Sequence, residues 1–263
     1  MLRLRLSFLM VLALATARLL ATDIGTFSGG TGTAADPFII TKPADLAEIQ
    51  SYLHYGATTY EGCFFRVDSD LVFTDYTGIA TGMSNHQFQA TFDGNGHKVR
   101  GIQAVINNNG TNFGLFGWIG AKCVIKNLTV DSCSITARGN CTNSALLVSH
   151  NGGTVENCHV TNATLDYTKA NWTNQNGGMV AYNESGGTVR GCTFTGNVTT
   201  GCKFGALAGQ NNGGTVQDCI SYADICITRS NAYVGGISAS AIRTTSGADR
   251  QFVNCEFRGN IHI

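Results

Sequence analysis

The chain has 263 residues, enough for one elongated domain with a substantial core. Its 17 basic and 17 acidic residues cancel, only 13% of positions are charged against ~25% in an average globular protein, and glycine fills 33. With no basic face to neutralise phosphates, this balance leaves no basis for nucleic-acid binding and predicts a turn-rich surface of short polar side chains.

Residues 1–21 read as an export signal. Arg3 and Arg5 precede a mainly apolar run from Leu6 to Ala15, with small-x-small cleavage sites at Ala15-Thr16-Ala17 and near Ala21. The run is short of the ~20 residues a spanning helix needs, and no second apolar stretch follows, so the chain reads as exported and not membrane-spanning. A signal anchor is the alternative.

Residues 22–87 read as an N-terminal cap. After a glycine-threonine loop comes a short buried strand, Phe38 to Ile40, and then a helix: Thr41 is placed to cap it, Pro43 suits its first turn, and Gly56 is placed to stop it. Leu46, Ile49 and Leu53 share one face. Such a helix would cover the open end of a first coil against edge pairing. Cys63 to Val67 and Leu71 to Phe73 read as strands, and the Gly94-Asn95-Gly96 turn separates two more.

Over residues 88–263 the chain repeats. GGTVENCHVTN at Gly152 returns as GGTVRGCTFTG at Gly186 and GGTVQDCISYA at Gly213, with weaker copies at Val124 and Arg250. Each alternates apolar and polar residues, the period of a strand with one buried face. The copies align two columns: Leu128, Cys158, Cys192, Cys219, Cys255, and two residues later Val130, Val160, Phe194, Ser221, Phe257. Between Asn127, Asn157, Gly191, Asp218 and Asn254 the steps are 30, 34, 27 and 36 residues, in the range of solenoid repeats. Three short strands per unit, stacked in parallel at ~4.8 Å, bury what no unit buries alone. The expected fold is all-β, a right-handed parallel β-helix with a short N-terminal capping helix; the hand follows from parallel crossovers in general.

GLFG at Gly114 and ALAGQN at Ala206, each followed by a turn and an Asn-Cys-like strand, resemble the GLUG-motif repeats of bacterial secreted and cell-surface, adhesin-like proteins. The resemblance covers about Phe88 to the C-terminus. Other copies carry Ser149, Ala181 and Ala239 where the motif has its second glycine, and Ala206 in place of its first. The resemblance implies a parallel β-helix on exported, often adhesive proteins, and no reaction.

If Leu115, Leu147, Met179, Leu207 and Ile237 point inward, alternation sends Phe116, Val148, Val180, Ala208 and Ser238 outward, together with Trp118, His150, Tyr182, Gln210 and Ser240. Trp118, His150 and Tyr182 would then stand one above another at coil spacing, near the length of a sugar unit. With Tyr167 and Trp172 in the long second loop they form a candidate glycan platform. In the alternative, Trp118 covers a corner of the core.

Catalytic signals are scarce. The Asp pair, Gly-His-Gly and Arg-x-Lys strings of β-helical galacturonidases do not occur, nor does a His-Glu-x-x-His. Asp68, Asp70 and Asp75 form the one local acidic cluster, without the glycine turn and terminal Glu of a calcium loop, and read as a solvated strand edge. The residues therefore predict no catalysis, no metal and no cofactor, with a polysaccharide lyase or hydrolase, or a passive spacer, as the rival readings. The stacked cysteines read as small apolar fillers, since parallel side chains ~4.8 Å apart do not suit a disulfide. Cys133 and Cys141, flanking one loop, are the better candidate bridge. Asn-x-Ser/Thr sequons stand at Asn109, Asn127, Asn140, Asn162, Asn171, Asn183 and Asn197, acceptors if the source glycosylates. Aligned Thr154, Thr188 and Thr215 raise ice binding, disfavoured by one threonine per coil. The last residues, Asn260 to Ile263, read as a third strand left uncovered, as in a piece of a longer surface protein. The expectation is a secreted or surface-exposed module binding a glycan or an extracellular protein.

Overall fold

The residue before the cysteine column decides how the chain turns. Asn127, Asn157, Gly191, Asp218 and Asn254 all have positive φ, from 48° to 62°, a conformation that glycine, asparagine and aspartate tolerate best. This left-handed residue carries the chain from strands such as Thr154–Glu156 into strands such as His159–Tyr167. The next residue swings inward, and Cys158, Cys192 and Cys219 are fully buried. Each thiol caps a carbonyl two residues upstream: Cys158 Sγ to Glu156 O at 3.3 Å, Cys192 to Arg190 at 3.1 Å, Cys219 to Gln217 at 3.0 Å, Cys255 to Val253 at 3.4 Å. The column is one of free thiols. Its occupants are small weak donors that satisfy corner carbonyls as well as fill space.

Stacking these corners gives a parallel β-solenoid. The structure, a computed structural model, describes residues 25–54, 59–74, 86–107, 111–139, 141–170, 175–242 and 251–263. The export signal, Gly56, Asp75, Asn109, Asn140, Asn171, Trp172 and the side chain of Cys141 lie outside the described residues. The described residues form four sheets along the molecule, of eight, ten, five and five strands. Sheet 1, the eight-stranded one, contains Phe38–Ile40, Thr154–Glu156 and Thr188–Arg190, and sheet 2 contains His159–Tyr167, Thr193–Thr200 and Ile220–Ile227. Sheet 3 runs through Cys141–Ser144, Gln175–Gly177 and Phe204–Gly205, and sheet 4 through Phe116–Ile119, Val148–Asn151, Val180–Asn183 and Ala208–Asn212.

The expected three strands per unit need correction. The stretch GALAGQN is two strands in two sheets, because the chain folds sharply between Gly205 and Ala208. The expected second strand, GTVQDCIS, breaks at Asp218 into Thr215–Gln217 in sheet 1 and the start of Ile220–Ile227 in sheet 2, and the latter runs unbroken through most of the expected third strand, Asp224 to Thr228. The second column aligns as expected, Val130 to Val160, Phe194, Ser221 and Phe257. The helix α1 spans Pro43–His54 with Leu46, Ile49 and Leu53 buried. Its start is held by Asp45, whose Oδ2 accepts from the Thr41 backbone N–H at 2.8 Å and from Ser28 Oγ at 2.8 Å. Thr41, expected to cap the helix, has its hydroxyl paired with Ser28 Oγ at 2.7 Å instead, and the Asp45 carboxylate in the first turn reaches back to the backbone N–H groups of Thr41 and Lys42 ahead of the helix.

Register is held on the outside by charge. In sheet 1, Arg66, Asp93, Lys126, Glu156 and Arg190 pair in sequence across five strands, alternating in sign. A one-residue slip would place every charge on the wrong face. Beside them Thr154, Thr188 and Thr215 align in single file.

Inside, an asparagine ladder climbs the turn after sheet 4. Asn151 Nδ2 donates to Asn183 Oδ1 at 2.7 Å, Asn183 Nδ2 donates to Asn211 Oδ1 at 2.7 Å, and all three side chains are fully buried. The expected Cys133–Cys141 bridge is not formed: Cys133 is a buried free thiol donating to Asp131 O at 3.4 Å. Burial pushes its thiol up to about 11 and that of Cys158 up to about 12. Cys226 is exposed, so a thiol reagent added to native protein should label it well ahead of Cys158, Cys192 and Cys219. Peptide mass mapping of the labelled protein checks the order; prompt labelling of the column would contradict this packing.

Candidate ligand-binding seam

A tight fold joins sheets 3 and 4. A Cβ on Gly177 would stand 1.9 Å from Val180 O, and one on Gly205 would stand 2.1 Å from Ala208 O. These leading glycines exist because two backbones touch there. The true counterpart of Gly177 in the fourth copy is Gly205, paired with it in sheet 3. The second glycine position also requires a small residue: a Cβ on Gly209 would meet Asn176 O at 2.6 Å, and the fully buried Ser149 sends its hydroxyl to Asn143 O at 3.1 Å.

The same fold resets the alternation. Phe116, Val148, Val180 and Ala208, expected outside, are fully buried and belong to the core; Phe116 packs edge-on against Phe92 at 5.1 Å. Phe116 and Ile119, three apart, are both in the core. The pairing of sheet 4 skips Ser149, and in the column beyond it Trp118 and Tyr182 are half-buried while His150 and Gln210 are buried.

Trp118, His150, Tyr182, Gln210 and Ser240 do align in one column, each paired to the next across sheet 4. Their rings, however, stack on one another. Trp118 and His150 lie 3.6 Å apart at 8°, and His150 and Tyr182 lie 5.2 Å apart at 40°. Ring faces are spent along the solenoid axis and edges face outward, which differs from an open platform. Tyr167 is not part of it: its ring is fully buried against Phe204, with its hydroxyl 3.3 Å from Ser144 O.

Beside the rings runs a column of amides from sheet 3. Asn143 Nδ2 lies 3.1 Å from Asn112 Oδ1 and 3.2 Å from His150 Nε2, while Gln175 Nε2 and Lys203 Nζ both reach Gln210 Oε1, at 3.1 and 3.3 Å. As an acceptor from Asn143, His150 is a neutral ring with its proton on Nδ1. Burial pushes its pKa down to about 4. Trp118 Nε1, Asn143 Oδ1 and Ser240 Oγ are buried without a hydrogen-bond partner. Three unpaired polar atoms therefore share this seam, where most buried polar groups elsewhere are satisfied.

Glu184 closes the seam on the side of sheet 1. Two residues beyond Tyr182, its Oε2 lies 3.2 Å from where a Gly152 Cβ would stand, so the carboxylate rests over bare backbone. Burial raises its pKa, and Tyr182 is raised too, by burial and then by the Glu184 charge.

A second constellation escaped the sequence. Asp70 and Asp131 meet at one guanidinium: Arg100 Nη1 lies 3.4 Å from Asp70 Oδ2, and Arg100 Nε lies 3.0 Å from Asp131 Oδ2. Asp131 also accepts from Asn162 Nδ2 at 2.8 Å and Thr161 Oγ1 at 2.9 Å. These bonds, Asn162 first, hold the Asp131 carboxyl far below its usual range, and the Lys98 backbone N–H lowers Asp70. Glycoside hydrolysis needs one carboxyl kept protonated, and this pair is kept ionised. A depressed folded-state pKa contributes stability above the unfolded value of about 4 that is lost as pH falls below it. Tm should therefore drop with acid below about pH 4, and Asp131→Asn should flatten that drop; equal slopes in melting curves would contradict the assignment.

Among the described residues no group of three or more His, Cys, Asp or Glu is placed to hold a metal. Of the described sequons, Asn183 is sealed in the ladder, Asn127 donates to Asp93 Oδ1 at 3.0 Å, Asn162 is committed to Asp131, and Asn197 is exposed. Asn183 is thus corrected as a glycan acceptor. The described residues hold no helix long and apolar enough to cross a membrane, which says nothing of a β-barrel.

No family model matches the chain. Over 144 residues, 52% of this chain, it is 28% identical to a protein of Evansella cellulosilytica provisionally named a Gly-rich membrane protein, and the match spans 16% of that relative's length. In backbone it is similar to a solved structure from Bacteroides ovatus, provisionally named an immunoglobulin A1 protease, with TM-score 0.61 and 16% identity over 89% of this chain and 70% of that one. At that identity the likeness is one of fold.

Proposed function

We propose that this chain is an exported, surface-displayed β-solenoid module of the GLUG-repeat kind that binds a glycan or an extracellular protein along its side and performs no chemistry on it. The observation that carries this reading is the seam: an in-register aromatic column, Trp118, His150 and Tyr182, flanked by Asn112, Gln175, Gln210 and Lys203. Ring edges and amides at one coil spacing offer an extended polymer repeated apolar and hydrogen-bonding contacts. The relation to a Gly-rich membrane protein fits display at a cell surface.

The rival reading is an enzyme, either a polysaccharide lyase or hydrolase or, following the name of the structural neighbour, a protease. Incubating the protein with plant, microbial and host polysaccharides and extracellular proteins, and assaying both retention and newly formed ends, separates the two. Retention without new ends supports a binding module; new ends that persist on purification would overturn it. Tyr182→Ala with Gln175→Ala should weaken retention about tenfold, the loss of one aromatic contact and one hydrogen bond, with Tm nearly unchanged.

A further inference from the structure

Glu184 stands apart from the other carboxylates of the seam's surroundings. Asp93 is paired with Lys126, Glu156 with Arg190, and Asp131 with Arg100. The Glu184 backbone is hydrogen-bonded to Asn151 O and Gly187 N, but its carboxylate has no hydrogen-bond or ion-pair partner among the described residues, although it is half-buried, and burial alone accounts for its raised pKa. A partly desolvated anion without a partner costs stability unless something outside the chain compensates. Its setting specifies what that is. Tyr182 stands two residues earlier, near the end of the strand Val180–Asn183 and close enough for the Glu184 charge to raise its pKa, the stacked Trp118 and His150 continue the aromatic column, and the carboxylate sits in the space that the glycine at 152 leaves open. A carboxylate at the rim of aromatic rings is the usual receptor for an ammonium group, which pairs with the anion and is attracted to the rings. Lys203, the cation of the seam, is engaged with Gln210 on the sheet 3 side and leaves this carboxylate unpaired.

We propose that the seam selects glycans bearing cationic amino groups, with Glu184 as the counter-charge and Tyr182 as the ring beside it. This rests on the glycan-binding reading above and adds the charge of the ligand. A polymer of unacetylated amino sugars laid along the solenoid would bring an ammonium to Glu184 while its hydroxyls meet the half-buried Gln175. Glu184→Gln removes the charge and keeps the shape.

The test is calorimetric titration of the chain with glucosamine oligomers, with the same oligomers N-acetylated, and with lysine-rich peptides, at about pH 6 where free amines carry their proton. The wild type should bind the free-amine oligomers about tenfold more tightly than the acetylated ones, a preference that shrinks with added salt. Glu184→Gln should abolish the preference and leave binding of the acetylated oligomers in place, and Lys203→Gln should preserve the preference. Equal binding of both oligomers by the wild type, or a preference that survives Glu184→Gln, overturns the proposal while the glycan-binding reading stands. Binding of neither oligomer overturns both. Binding of lysine peptides alone overturns the proposal in favour of a protein partner.

Discussion

Gly177→Val should cost about 3 kcal/mol or more of folding stability. The new Cβ would stand 1.9 Å from Val180 O and 2.6 Å from its carbonyl carbon, so backbone and not a flexible side chain would have to yield. The strain falls where sheet 3 folds onto sheet 4, and relieving it would separate Gln175 from Gln210 and disturb the seam. Urea denaturation reads the result as a fall in the midpoint with the slope retained. A valine variant as stable as the wild type would show that the two sheets do not touch here. Gly177→Ala should lie between the two, because Ala145 occupies the corresponding place in the preceding coil and is fully buried there.

Asn183→Leu should cost about 2 to 5 kcal/mol. Asn183 is the central rung of the ladder, and its loss strips Asn151 Nδ2 of one acceptor and Asn211 Oδ1 of its donor, both fully buried. Each orphaned buried group carries a penalty of roughly 1 to 3 kcal/mol, and the leucine regains little because its neighbours above and below are amides. The control is Asn197→Leu, on the exposed face of sheet 2, which should change stability by about 0.5 kcal/mol or less. Similar melting shifts for the two variants would show that the ladder contributes no more than a surface amide.

The ladder was within reach of the sequence. In SHNGGTV, AYNESGGTV and GQNNGGTV an asparagine stands just ahead of each GGTV, at the same step after the apolar strand. Alternation counted from His150 does turn position 151 inward, but the phase in which both positions sit is reset at Ser149, a fully buried small residue that no hydrophobicity pattern marks.

The sequence by itself determined the coil. Its repeat length, the apolar-polar alternation through each Asn-Cys stretch, and the helix Pro43–His54 follow from properties that act over a few residues, a period of two and one apolar helical face. Each such stretch reads in the sequence as one continuous strand, whereas a corner at a residue with positive φ splits it into strands of two sheets. Tertiary structure alone decided what stands beside what. Asp70 and Asp131 share Arg100 across 61 positions of chain, Trp118 stacks on His150 face to face, and Tyr167 points into the core instead of joining them. These depend on loop lengths between coils and on two sheets touching at glycine, and a contact made across coils leaves no periodic trace along the chain.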